Sequence, residues 1–190
     1  LRAELERIPA AAVGVTPTEV FNMSDLHVSW DDYHRLIETL ALEVLESDWE
    51  FDAVVCLARG GLRVGDVLSR LFRRPLGVLF TSAYREDAGT AQGELVIGEQ
   101  ISSALPLPSG RWLLVDDMAD TGVSLAGAMA ALRDRCPEVI EIRTAVLWMK
   151  AHSRFRPDYV GCHVSGNPWI HQPFERYDTL TPAQLRQAAD

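Results

Sequence analysis

The sequence predicts an α/β fold, a mainly parallel twisted sheet flanked by helices. Three observations lead there. From Trp30 onward, apolar strand-like runs alternate with segments of helical period. Runs such as "FDAVVCLA" are continuously apolar, the pattern of strands buried on both faces of a parallel sheet. Single helices separate the strands, so right-handed crossovers connect them and both faces are covered.

Each element can be justified in order. "DDYHRLIETLALEVLE" places Tyr33, Leu36, Ile37, Leu40, Val44 and Leu45 on one helical face. "FDAVVCLA" follows as a buried strand, "RGG" punctuates it, and "LRVGDVLSRLF" resumes the helical period. "PLGVLFTSAY" is the next strand. The polar stretch after it, to Gly110, has one short β-like island from Glu94 to Ile97. "RWLLVDD" is a strand, "TGVSLAGAMAALRDR" a helix, "VIEIRTAVLWMK" a strand and "DYVGCHV" a shorter one. Thr181-Pro182-Ala183-Gln184 supplies an N-cap, a proline in the first turn and a capping-box glutamine, so a small helix closes the chain.

The 190 residues suit one domain with a sizeable core, and no internal repeat or second core is visible. Residues 1–22, rich in Ala, Pro and Thr, read as an extension or arm, with residues 23–190 as a single domain. The net charge of -9 argues against nonspecific attraction to nucleic acid or anionic membranes. No apolar run approaches the ~18 residues of a membrane span. Cys56, Cys136 and Cys162 are odd in number and lack metal-ligand spacing. Cys56 and Cys162 lie in apolar runs, so buried reduced thiols and a cytoplasmic location are expected.

In parallel sheets ligands bind beyond the carboxyl ends of the strands. The turns "ARGG" and "DDMADTG" therefore share one edge. Asp116, Asp117 and Asp120 stand before a helix opening near Gly122. Its unpaired N–H groups form a seat for phosphate, with hydroxyls from Thr121 and Ser124. Asp116 and Asp117 repel such an anion and suit a neighbouring polyol or divalent metal. Capping alone, worth ~1 kcal/mol, needs one aspartate, and three in five residues repel one another. The pattern fits a ligand carrying both a phosphate and hydroxyls.

"LLVDDMADTGVS" resembles the phosphoribosyl pyrophosphate motif of type I phosphoribosyltransferases, with Ser124 for the commoner Thr. The resemblance implies that Asp116 and Asp117 hold the ribose hydroxyls. It implies that Asp120, Thr121, Gly122, Val123 and Ser124 wrap the 5′-phosphate. Members acting on 6-oxopurines carry an aspartate at the Asp120 position, placed to take the N7 proton. "VVCLARGGLRVGDVLSRLF" resembles the family's pyrophosphate loop, implying that Ala58, Arg59, Gly60 and Gly61 grip the diphosphate. It also implies a cis peptide between Ala58 and Arg59. Alone, a glycine pair after a strand marks only a turn.

"LWMK" followed by "NPWIHQPFE" resembles the base-binding hood of xanthine-guanine and hypoxanthine phosphoribosyltransferases. By that likeness Lys150 binds the purine 6-oxygen, Trp169 stacks on the ring, and Ile170 and Trp169 offer backbone carbonyls. In isolation a strand-end lysine is usually solvated and a tryptophan usually core. His171 replaces the acidic residue of the bacterial xanthine-guanine enzymes, leaving xanthine use open. The resemblance further implies a mobile lid at about 81–110, to which Tyr84 and Arg85 contribute, and a hood at about 148–178.

The expected activity is transfer of a phosphoribosyl group from phosphoribosyl pyrophosphate to hypoxanthine, guanine or xanthine in purine salvage. Mg²⁺ is the implied cofactor, held through Asp116 and Asp117 indirectly and through Glu175. The resemblance also implies a homodimer or homotetramer. Two alternatives stay open: transfer to another heterocyclic base, and a non-catalytic sensor of phosphoribosyl pyrophosphate or nucleotide with the same fold.

Overall fold

The computed structural model describes residues 25–85 and 92–187, with the side chains of residues 83–94 outside that description. The expected extension at 1–22 lies outside the described residues, as do the side chains of Tyr84 and Arg85. The elements are β1 (Asp25–His27), α1 (Trp30–Glu46), β2 (Ala53–Ala58), α2 (Leu62–Phe72), β3 (Leu76–Arg85), β4 (Gln92–Ser102) and β5 (Gly110–Ala119). They continue as α3 (Val123–Arg135), β6 (Val139–Lys150), β7 (Tyr159–Val164), β8 (Trp169–His171), α4 (Arg176–Thr179) and α5 (Pro182–Gln187).

Six strands form the main sheet in the order β4-β3-β2-β5-β6-β7, parallel except for the antiparallel β3–β4 pair. Strand alternation splits the core in two. Val54 and Cys56 of β2 join Tyr33, Ile37, Leu40, Val64 and Leu68 from α1 and α2 on one face. Ala53, Val55 and Leu57 join Leu125, Ala128, Met129 and Leu132 of α3 on the other. The core thus has two layers against one sheet.

Local chemistry sets the helix ends. Ser29 caps α1 by accepting the Asp32 N–H at 3.1 Å, with Asp31 and Asp32 favourably placed in the first turn. At α5 the capping box closes reciprocally, Thr181 N–H donating to Gln184 Oε1 at 2.8 Å and Gln184 N–H to Thr181 Oγ1 at 3.4 Å.

The structure differs from the sequence expectations at several points. Leu45 is exposed, and Ala41 takes its place in the buried stripe of α1, because Leu45 lies one residue past Val44 and rotates off the face. Cys162 is only half-buried, since β7 is the sheet's edge, whereas Cys56 is fully enclosed. The island at Glu94–Ile97 is the middle of an 11-residue strand, β4. As an edge strand β4 carries a polar face, which is why its sequence resembles a loop. Finally, β1 was not anticipated; it pairs in parallel with β8 as a separate two-stranded ribbon.

That ribbon is anchored by its apolar side. Ile170 is buried in the α1–α2 core layer and Leu26 packs against it. Phe174, just beyond β8, meets the Tyr33 ring edge-on at 5.7 Å, and the Arg63 guanidinium lies over it at 4.2 Å. The hood therefore sits above the carboxyl ends of β2, β5 and β6, tied down by helix residues.

Candidate active site

Two strand ends meet at close range. A Cβ on Gly60 would lie 2.3 Å from Asp117 Oδ1, and one on Gly61 would lie 2.5 Å from the Val115 carbonyl oxygen. Only glycine lets the loop after β2 press against the end of β5. The Ala58–Arg59 peptide in that loop is cis, as the resemblance implies. Arg59 projects into solvent and pairs with Asp178 of α4 at 3.5 Å.

The three aspartates occupy different environments. Asp116 is buried, and burial, then the neighbouring Asp117 charge, pushes its carboxyl well above the usual carboxylate range. Its Oδ1 accepts the Asp117 N–H at 2.9 Å. Asp117 is half-buried and accepts a hydrogen bond from Gln172 Nε2. Asp120 Oδ1 lies 2.8 Å from His152 Nε2 and 3.4 Å from Lys150 Nζ.

Beyond Asp120 the chain turns into α3. Gly122 has φ +84°, and a Cβ there would lie 2.3 Å from Phe155 Cβ, so the turn needs glycine twice over. The N-cap Gly122 offers no side chain, the Val123 N–H reaches Thr121 Oγ1 at 3.5 Å, and the first turn of α3 carries no acidic residue. Thr121 and Val123 are exposed and Ser124 half-buried around the start of the helix.

Lys150 ends β6 and is only 5% exposed, unlike a solvated lysine. Its Nζ donates to Asn167 Oδ1 at 3.0 Å besides meeting Asp120. Trp169 of β8 is 51% exposed, and its Nε1–H donates to Glu175 Oε2 at 3.4 Å. Ile170 turns its side chain into the core.

One cleft of about 800 Å³ joins these groups, lined among others by Asp117, Asp120, Lys150, Trp169, Glu175 and Asp178. Arg59 reaches it through Asp178. Asp116 lies behind the lining, against the pyrophosphate-type loop rather than in the open space. Asp117 and Glu175 both line the cleft, and carboxylates are the ligand type that a hard divalent cation takes.

A family model described as the phosphoribosyl transferase domain matches residues 29–179. The chain belongs to that family. A phosphoribosyltransferase is a transferase enzyme, and the expected α/β fold is the one found. The chain is 29% identical over 150 residues to a xanthine-guanine phosphoribosyltransferase of Chromohalobacter salexigens, covering 78% of this chain and 82% of that one. A purine phosphoribosyltransferase from Pyrococcus horikoshii superposes with TM-score 0.60 at 26% identity, over 80% of this chain and 94% of the other. A Helicobacter pylori xanthine-guanine-hypoxanthine phosphoribosyltransferase shares the fold, with TM-score 0.65 at 23% identity, over 87% of this chain and 98% of that one.

Several residues of this phosphoribosyltransferase's cleft escape sequence reasoning. Gln172, buried, holds Asp117 while its own Oε1 has no partner among the described residues. The Tyr33 hydroxyl is buried without a partner among the described residues, and burial, then the Asp117 charge, pushes the phenol up. His152 and Asn167 secure Asp120 and Lys150. Gln172 and Asn167 fall inside the "NPWIHQPFE" stretch, which was the available signal. Tyr33 looks like any core position of an amphipathic helix.

Proposed function

We propose that this phosphoribosyltransferase transfers the 5-phosphoribosyl group from phosphoribosyl pyrophosphate to a 6-oxopurine, giving a nucleoside 5′-monophosphate and pyrophosphate in purine salvage. One observation carries the reading. A single cleft holds the acidic bend and a buried lysine beside an exposed indole, as a sugar phosphate and a flat oxo-substituted ring together require.

The chain's own residues would act as follows. The amides at the start of α3, with Thr121, Gly122, Val123 and Ser124, seat the 5′-phosphate. Asp116 and Asp117 accept from the ribose hydroxyls, Gln172 fixing the second. Ala58, Arg59, Gly60 and Gly61 hold the pyrophosphate, and Arg59 exchanges Asp178 for it. Trp169 stacks on the base. Lys150 has three N–H donors; Asn167 and Asp120 engage two, and the third reaches the purine 6-oxygen. When the C1′–oxygen bond breaks, the electron pair leaves with pyrophosphate, a ring nitrogen bonds C1′, and Asp120 accepts the N7 proton. Asp116 and Asp117, indirectly, and Glu175 would hold Mg²⁺, which would supply neutralisation of the pyrophosphate charge. Within the expected lid at about 81–110, residues 95–102 pair with β3 in the main sheet, so the part nearer Tyr84 and Arg85 would supply the cover that excludes water.

Self-association into a dimer or tetramer through exposed Leu71 of α2, and a reducing cytoplasm to suit the free cysteines, complete the proposal. The test offers purified protein, Mg²⁺ and phosphoribosyl pyrophosphate to a panel of free bases while pyrophosphate release is followed. Hypoxanthine, guanine or xanthine should turn over well ahead of adenine and the pyrimidines. Tight binding of phosphoribosyl pyrophosphate with no release on any base would point instead to a sensor.

A further inference from the structure

The outward face of the β1–β8 ribbon gathers three donors to which the proposed transfer assigns no role. Asp25 and His27 stand two residues apart on β1, so they project from the same face. His27 is in register with His171 of β8, and their rings stack at 4.4 Å, 6° from parallel. Asp25 Oδ2 reaches diagonally to His171 Nε2 at 3.3 Å. One ligating atom from each of the three lies within 4.8 Å of the others. The apolar side of the ribbon is fixed in the core, so the three outward groups keep this arrangement on a firm base.

We propose that Asp25, His27 and His171 form a transition-metal site, of a kind that takes Zn²⁺, separate from the Mg²⁺ contacts at Asp117 and Glu175. Bonds of about 2.0–2.1 Å at a tetrahedral centre put neighbouring ligand atoms about 3.3 Å apart. The Asp25–His171 separation already matches, and His27 closes the set by side-chain rotation. Two imidazoles and one carboxylate favour zinc and its first-row neighbours, whereas Mg²⁺ prefers oxygen alone. Three protein ligands leave a fourth position open, and His27 and His171 both line the cleft. A bound ion would therefore bolt β1 to β8 and stand at the mouth of the hood.

The test needs protein without a histidine tag, in Mg²⁺-containing buffer. Calorimetric titration should show one equivalent of Zn²⁺ bound with Mg²⁺ present, and Co²⁺ should develop the visible absorption of a four-coordinate site. His27→Ala and His171→Ala should each weaken Zn²⁺ by about tenfold or more, while His152→Ala and the Cys136→Ser/Cys162→Ser pair leave it unchanged. Asp25→Asn, which preserves shape, should also weaken it, and metal-free melting curves establish that each variant folds. Failure of wild type to bind Zn²⁺, binding indifferent to both histidines, or binding lost with the cysteines would overturn the assignment. The readout is metal affinity, so the result stands apart from any transferase measurement.

Discussion

The two strand-to-helix turns at the carboxyl edge do the same topological job with opposite chemistry. The turn after β2 has backbone and glycine, with one arginine in solvent. The end of β5 and the turn after it carry three carboxylates, one buried, one held by an amide and one by a lysine and a histidine. They touch where Gly60 meets Asp117. Two loops serving only the fold would have no reason to segregate donors from acceptors so completely. A ligand with an anionic group at one end and hydroxyls beside it calls for that division.

Removing the proton acceptor from the acidic turn should have the largest effect. Asp120→Asn keeps the size and the contacts to His152 and Lys150, and should lower kcat by about 10²–10⁴-fold with little change in KM for phosphoribosyl pyrophosphate. Steady-state kinetics with the best base decides it; an unchanged kcat removes Asp120 from its role. Next in size is the junction of the turns. Gly60→Ala drives a methyl into the Asp117 carboxylate, which Gln172 keeps from swinging away. It should cost about 10²-fold in kcat/KM with the melting temperature nearly kept. Equal activity would mean that the turns are independent. Smaller again, Lys150→Gln should cut the preference for a 6-oxo over a 6-amino base by about tenfold, read as the ratio of kcat/KM for hypoxanthine and adenine.

How much was legible in the sequence also divides by region. β6 runs from Val139 to Lys150, as its apolar pattern predicts, and the Thr181–Gln184 box forms as written. Such features are set by neighbours within a few residues. β4 was legible only in part because its apolar residues are few and separated: Leu95 and Ile97 pack over Gly127 of α3 and Ile101 against the core, while glycine or polar residues fill most other positions. β1 is three residues, too short for a period, and depends on a strand at residues 169–171. The bond between Gln172 and Asp117 spans 55 positions, and nothing local announces it. In the cleft, motif residues were readable through the family likeness, whereas the groups that hold them in place required the fold.

The smallest effect concerns Asp116, and it separates function from stability within the acidic turn. Its carboxyl is pushed up by burial and by Asp117, so the folded state holds the proton more tightly than the unfolded chain, where an aspartate titrates near 3.9. Between that value and the raised one, the native state binds more protons, and stability contributed by this group falls as pH rises. Asparagine resembles the protonated form. Asp116→Asn should therefore be more stable than wild type at neutral pH, by about 1 kcal/mol, and the advantage should vanish as pH drops toward 4. Activity should fall in the same variant, because the acceptor for a ribose hydroxyl is weakened. Melting curves from pH 4 to pH 8 on both proteins decide it. A variant less stable at neutral pH would mean that the buried charge is satisfied within the fold, and the turn would no longer need a ligand to explain its acidity.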